Sequence, residues 1–373
     1  MDSSRTPPAP ACAQNWRTAL RVLFGLLVVA ACCALAVAAY GSFVAARQAD
    51  TIQYTFGPQC LFAQRDTWCN AETQGSPHCS LLLWTPLDPR NGAPVAPDGV
   101  GLVEARFLVA LHARFQVSVG MASQADQARI LAPANLGGLE WLGSVGTAPE
   151  RPWPRFGLFC DRAARRLYVC VRGTYGRADW EADYAFAARE WPYFGGGTAA
   201  AAGAPSAVAM VHGGALRVYC EVREQLRAAL SDARPLFDTV TVVGHSLGGS
   251  VASFVAVDVG ALAGGLARAP RALFVAPMRP GNRTFARLVE AVCGGACASV
   301  VNLADVVPAF PPTHVPNPKS TTCCLYEFAL VEPVLAFNQP RRDLVGCHQL
   351  PVHFEAVDPD HPAVTQLPRA APA

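Results

Sequence analysis

Charge is scarce in this chain: Asp, Glu, Lys and Arg make up 16% of its 373 residues, and the net charge is only +2. No basic patch with interleaved aromatics occurs, so nothing here would hold a phosphate backbone, and nucleic-acid binding is excluded. There is no CxxC pair with a matching CxxC or HxxxH partner, which argues against zinc, and no metal or cofactor is expected. Internal repeats are also missing.

The most informative absence is local. From Val22 to Ala46 there is no charged residue, a run of 25 positions, whereas about 20 apolar residues suffice to cross the hydrocarbon of a bilayer. Arg5, Arg17 and Arg21 precede the run, while Arg47 behind it is balanced by Asp50. The positive-inside bias then puts residues 1–21 in the cytoplasm and everything after 46 in a lumen or outside the cell. Ala36-Val37-Ala38 resembles a signal-peptidase site, which would make the protein secreted. The run, however, exceeds the roughly 7–15 apolar residues of a signal peptide, so an uncleaved transmembrane helix over 22–46 is expected. Of 14 cysteines, eleven fall on the exported side, which predicts several disulfides and at least one leftover thiol. Asn282-Arg283-Thr284 is a glycosylation sequon.

Beyond a Cys/Pro-rich stem or flap over 47–102, the chain alternates. An apolar pattern near helical spacing spans 103–119, and a hairpin is read at 155–161 and 166–171. Helix 214–231, strand 238–243, helix 247–265, strand 272–276, helix 283–293 and strand 299–303 follow. Such alternation predicts an α/β fold with a mostly parallel sheet flanked by helices, over 103–357. The Pro-rich tail 358–373 is expected to be disordered.

Strand 238–243 runs into Gly244-His245-Ser246-Leu247-Gly248. A Gly-x-Ser-x-Gly elbow lifts a serine hydroxyl above the end of a sheet, and glycines at 244 and 248 let strand and helix come close. A serine nucleophile needs a base, and the base needs an orienting carboxylate. Asp305 is the first acid after strand 299–303. His348 and His353 are the two serious imidazoles, and periodicity does not separate them. An oxyanion hole needs donors: the N–H of Leu247 is one, and Thr174, in the turn Val171-Arg172-Gly173-Thr174, is placed to give another. Residues 175–192 hold Trp180, Tyr184, Phe186 and Trp191, which read either as the apolar underside of a mobile flap or as core.

Four blocks in order resemble the lipase class 3 family, the fungal-type triacylglycerol lipases and their relatives. They are Leu167–Thr174 with Asp179-Trp180-Glu181-Ala182-Asp183, Val211-His212-Gly213-Gly214, Val243–Gly249, and Val300–Pro308 with Pro311-Pro312. The resemblance implies an α/β-hydrolase with Ser246 as nucleophile, Asp305 as acid, Thr174 and Leu247 as oxyanion hole, and His348 ahead of His353 as base. It implies cleavage of lipid acyl esters at a lipid surface. A phospholipase A1-type activity and a catalytically inactive, surface-binding hydrolase fold are the alternatives. Ala276–Asn282 is one residue longer than the family's corresponding turn.

Overall fold

A computed structural model describes residues 83, 87–92, 99–119, 124–193, 208–261, 266–317, 325–341 and 344–367. The tail 1–21, the expected transmembrane helix 22–46 and most of the 47–102 stem lie outside the described residues. Of two compact units, Met1–Cys60 falls wholly outside them, and Leu61–Ala373 carries the fold. Among the described residues no helix is long and apolar enough to cross a membrane.

The chain runs α1 (Leu102–Val119), α2 (Gln124–Ile130), β1 (Glu140–Val145), β2 (Phe156–Asp161), β3 (Arg166–Val171), α3 (Arg177–Asp183), β4 (Ala188–Glu190) and β5 (Met210–His212). Then come α4 (Gly213–Ala233), β6 (Thr239–His245), α5 (Leu247–Gly260), β7 (Arg271–Val275), α6 (Arg283–Val292) and β8 (Cys297–Asn302). The C-terminal part holds β9 (His314–Pro316), β10 (Leu325–Glu327), β11 (Val334–Phe337), α7 (Leu344–His348), α8 (Leu350–Ala356) and β12 (Thr365–Gln366).

Eight strands form the central sheet in the order β1-β2-β3-β6-β7-β8-β11-β12. β3, β6, β7, β8 and β11 are parallel. The expected hairpin is β2–β3, paired from Phe156↔Val171 to Asp161↔Arg166. The middle strands read as β-branched and apolar runs because both faces are covered, as a parallel sheet requires. On one face α4, α5 and α6 pack Leu226, Phe254 and Phe285 against Val242 and Phe274. On the other, α1 and α8 bring Leu108, Phe115 and Phe354 onto Val243 and Val300. This is the α/β-hydrolase-like arrangement the sequence led us to expect.

Two expectations need revision, for the cysteines and for the C-terminal tail. The expected disulfides do not form among the described cysteines: Cys160, Cys170, Cys220, Cys293, Cys297 and Cys347 are all free. All but Cys220 are buried and fill the interior as small apolar side chains; Cys60, Cys69, Cys79, Cys323 and Cys324 lie outside the described residues. The sequon asparagine is bonded within the fold. Asn282 caps α6 by accepting from the Phe285 N–H at 3.0 Å, and its Nδ2 donates to Val208 O at 3.0 Å. In the Pro-rich tail, Thr365–Gln366 pairs antiparallel with β11, because that strand's outer edge would otherwise leave its backbone groups unpaired.

Candidate active site

Strand β6 ends at His245 and α5 begins at Leu247, so Ser246 alone must turn the chain. It does so at φ 61 and ψ −132, a region a non-glycine residue holds only when its surroundings force it. Its N–H donates to Val275 O at 3.0 Å, and its carbonyl accepts from Gly249 N–H at 2.8 Å. A Cβ at position 244 would stand 2.1 Å from the Gly248 carbonyl oxygen, and one at 248 would stand 2.2 Å from Val171 O. Both glycines are therefore steric necessities of the elbow.

Beyond β8, the Asn302 side chain organises the facing loop. Its Nδ2 donates to Gln339 O at 2.9 Å and to Cys347 O at 3.1 Å, holding the residue before His348. Asp305 is buried. Its Oδ1 accepts from Val307 N–H at 2.9 Å, and its Oδ2 lies 2.5 Å from His348 Nδ1. His348 Nε2 is buried with no protein partner. The His348 carbonyl accepts from His245 Nε2 at 2.7 Å, and the two rings lie 4.6 Å apart, which ties His348 to the residue next to Ser246.

The second imidazole is differently engaged. His353 Nδ1 donates to Gln349 O at 3.0 Å, and its ring meets Phe337 edge-on at 5.2 Å. Burial pushes it down to about 4 and does the same to His112, while His245 falls well below the usual imidazole range through burial and the neighbouring His348, His353 and His112. The two imidazoles beside His348, those of His245 and His353, are thus neutral at ordinary pH.

The turn after β3 lies over the elbow. A Cβ at Gly173 would be 3.0 Å from His245 O and 3.3 Å from the Ser246 Cβ, so the residue before Thr174 packs directly on the elbow. Leu247 opens α5, where backbone N–H groups have no intrahelical acceptor. The Thr174 hydroxyl is bonded to Asp183 Oδ2 at 2.8 Å. Burial pushes the Asp183 carboxyl up to about 8, against the Thr174 hydrogen bond, with the charge of Asp179 adding to the rise.

Three residues, Gln116, Arg155 and Asp179, escaped the sequence reading as parts of this site. Gln116 Oε1 accepts from Gly173 N–H at 3.4 Å and lies 3.1 Å from His112 Nε2. A polar pair four residues apart inside the apolar α1 was the available signal. Arg155 gave none. Asp179 was legible only as part of a block. Burial raises its carboxyl, but Arg155 and Arg172 outweigh that and hold it far below the usual carboxylate range.

The aromatic segment 175–192 divides in two. Trp191 is core, packed against Tyr219, Phe254 and Phe285 at 5.3–6.1 Å. Tyr184 is 57% exposed, and Phe186 stacks on Phe310 at 6.1 Å. With Leu303 and Val306 on either side of Asp305, exposed apolar side chains border the site. Among the described residues no group of three or more His, Cys, Asp or Glu is placed to hold a metal ion.

Residues 168–315 match the lipase (class 3) family, and the resemblance stated from the motifs holds over that segment. Over 151 residues the chain is 30% identical to a lipase of Rhizomucor miehei, covering 40% of this chain and 38% of that one. Over 210 residues it is 28% identical to phospholipase A1-II 7 of Oryza sativa subsp. indica, covering 49% of each. The chain spans about half or less of the length of these curated relatives. Among solved structures it is similar to the native Rhizomucor miehei lipase–propeptide complex, with 20% identity, a TM-score of 0.45, and coverage of 66% of this chain and 76% of that one.

Proposed function

We propose that the protein is a serine ester hydrolase acting on lipid acyl esters. The observation that carries the reading is the Asp305–His348 pair at 2.5 Å, with an unpartnered His348 Nε2 beside the strained Ser246 elbow. In this reading His348 Nε2 takes the Ser246 proton as Oγ attacks the acyl carbonyl carbon. The carbonyl oxygen becomes an oxyanion facing the N–H groups of Leu247 and Thr174. Collapse expels the alcohol, which leaves with the proton from His348, and Ser246 keeps the acyl group as an ester. Water, deprotonated by the same imidazole, then releases the fatty acid. Asp305 stabilises the imidazolium and fixes its tautomer.

The exposed Tyr184, Leu303, Val306 and Phe310 suit a substrate presented by a lipid surface, and the uncharged run 22–46 suits a chain tethered to a membrane with this domain outside the cytoplasm. The rice relatives named as phospholipases A1 favour a glycerophospholipid acyl ester as a second substrate beside acylglycerols. The test is turnover of a p-nitrophenyl ester by wild type and Ser246→Ala at matched folding. The reading expects kcat to fall by at least about 1,000-fold in the variant. Hydrolysis at the wild-type rate would overturn it, and a folded wild type inert on every lipid offered would favour the inactive, binding alternative.

A further inference from the structure

Asp179 sits 1% exposed on the first turn of α3 and is ringed by cations. Its Oδ1 receives Arg151 Nε at 3.1 Å and a close contact from Arg155 Nη2, while its Oδ2 receives Arg172 Nη1 at 2.8 Å and the Tyr175 N–H at 3.0 Å. The same guanidiniums reach further. Arg155 Nη1 donates to Arg172 O at 2.8 Å and to Gly173 O at 3.0 Å, and Arg172 Nη1 donates to Gly173 O at 2.7 Å. Two cationic donors therefore converge on one carbonyl. That carbonyl shares its planar peptide group with the Thr174 N–H, and in a trans peptide the two point opposite ways. Fixing the oxygen fixes the direction of the hydrogen. Charge-assisted hydrogen bonds at the oxygen also polarise the peptide and make its N–H a stronger donor.

Three guanidiniums this close repel one another and cost much to bury, so Arg155 and Arg172 stay on the Gly173 carbonyl only while a carboxylate holds the cluster together. We propose that Asp179 is a positioning residue for the oxyanion hole, aiming and polarising the Thr174 N–H through Arg155 and Arg172. It touches no substrate, and the inference rests on Ser246 being the nucleophile. α3 carries both Asp179 and Asp183, so lifting it would break this buried cluster and the Thr174–Asp183 bond.

The test uses the full chain with Asp179→Asn, which keeps the shape and one acceptor but removes the charge. Active sites are counted first with a fluorophosphonate, so that any misfolded fraction drops out. Per labelled site, kcat on p-nitrophenyl butyrate should fall about 10- to 100-fold, less than or comparable to the loss of one whole oxyanion donor, with KM within about twofold. An alkyl trifluoromethyl ketone, whose adduct with Ser246 places an oxyanion in the hole, should lose affinity by the same factor. Should Asp179→Asn not fold, Arg155→Lys, which keeps charge but cannot fork between two carbonyls and a carboxylate, reads the same quantities. Unchanged kcat per site, or a kcat loss without a matching loss of ketone affinity, overturns the proposal. Absence of fluorophosphonate labelling in the wild type would instead overturn the assignment of Ser246.

Discussion

At the scale of single residues, the site is built on contrasts between side chains of the same type. Asp179 and Asp183 lie one turn apart on the same short helix, yet arginines hold the first ionised while burial pushes the second up to about 8. Asp183 has a direct consequence for stability. In the unfolded chain its carboxyl loses its proton above about pH 4, whereas the native protein keeps that proton until about pH 8. Between those values the folded state binds more protons than the unfolded, so this residue's contribution falls as pH rises and levels off above 8. Asp183→Asn retains an acceptor for the Thr174 hydroxyl and has no proton to lose. The variant's Tm should exceed the wild type's by several degrees more at pH 8 than at pH 5. A difference that is flat or reversed across that range would show that Asp183 ionises normally. The histidines repeat the pattern: His348 carries the carboxylate partner, while His353 is buried against Phe337 with its Nδ1 bonded to Gln349 O.

At the scale of elements, what positions the site is the way helices meet strands. α5 approaches β6 and β3 so closely that Gly244 and Gly248 have no room for a Cβ, and α1 inserts Gln116 beneath the Gly173 turn. The stretch from α3 to β4 ends in Trp191, whose ring fills the space between α4, α5 and α6. A fully buried tryptophan replaced by alanine leaves a cavity and loses about 3–5 kcal/mol. Trp191→Ala should therefore lower the stability measured by denaturant unfolding by that amount, while kcat on a soluble ester at 25 °C stays near the wild-type value. Unchanged stability with a selective loss of activity on emulsified lipid would mean that Trp191 belongs to a moving cover and not to the core.

At the scale of the whole molecule, the parallel half of the sheet was readable because strands buried on both faces write themselves as β-branched and apolar runs, as in Thr239–His245 and Cys297–Asn302. The elbow was readable because its steric demands leave a local signature. The edges were not. β1, with partial exposure throughout and a glycine in its middle, has no alternation to detect, and β11 and β12 are too short to show a period. The arginine cluster was hidden for another reason: Arg151, Arg155 and Arg172 lie up to 28 residues from Asp179, and nothing local marks them as partners. The choice between His348 and His353 was likewise beyond the sequence pattern alone, since it turns on which ring the Asp305 loop reaches.

Covalent labelling reads whether Ser246, His348 and Asp305 act as one catalytic unit. A fluorophosphonate probe is applied to wild type, His348→Ala and His353→Ala, and the modified peptide is mapped by mass spectrometry. A catalytic unit of this kind gives a single adduct on Ser246 in the wild type, a labelling rate reduced by at least about 1,000-fold in His348→Ala, and persistent labelling in folded His353→Ala. An adduct on another residue, or His348→Ala labelling as fast as the wild type, would contradict it.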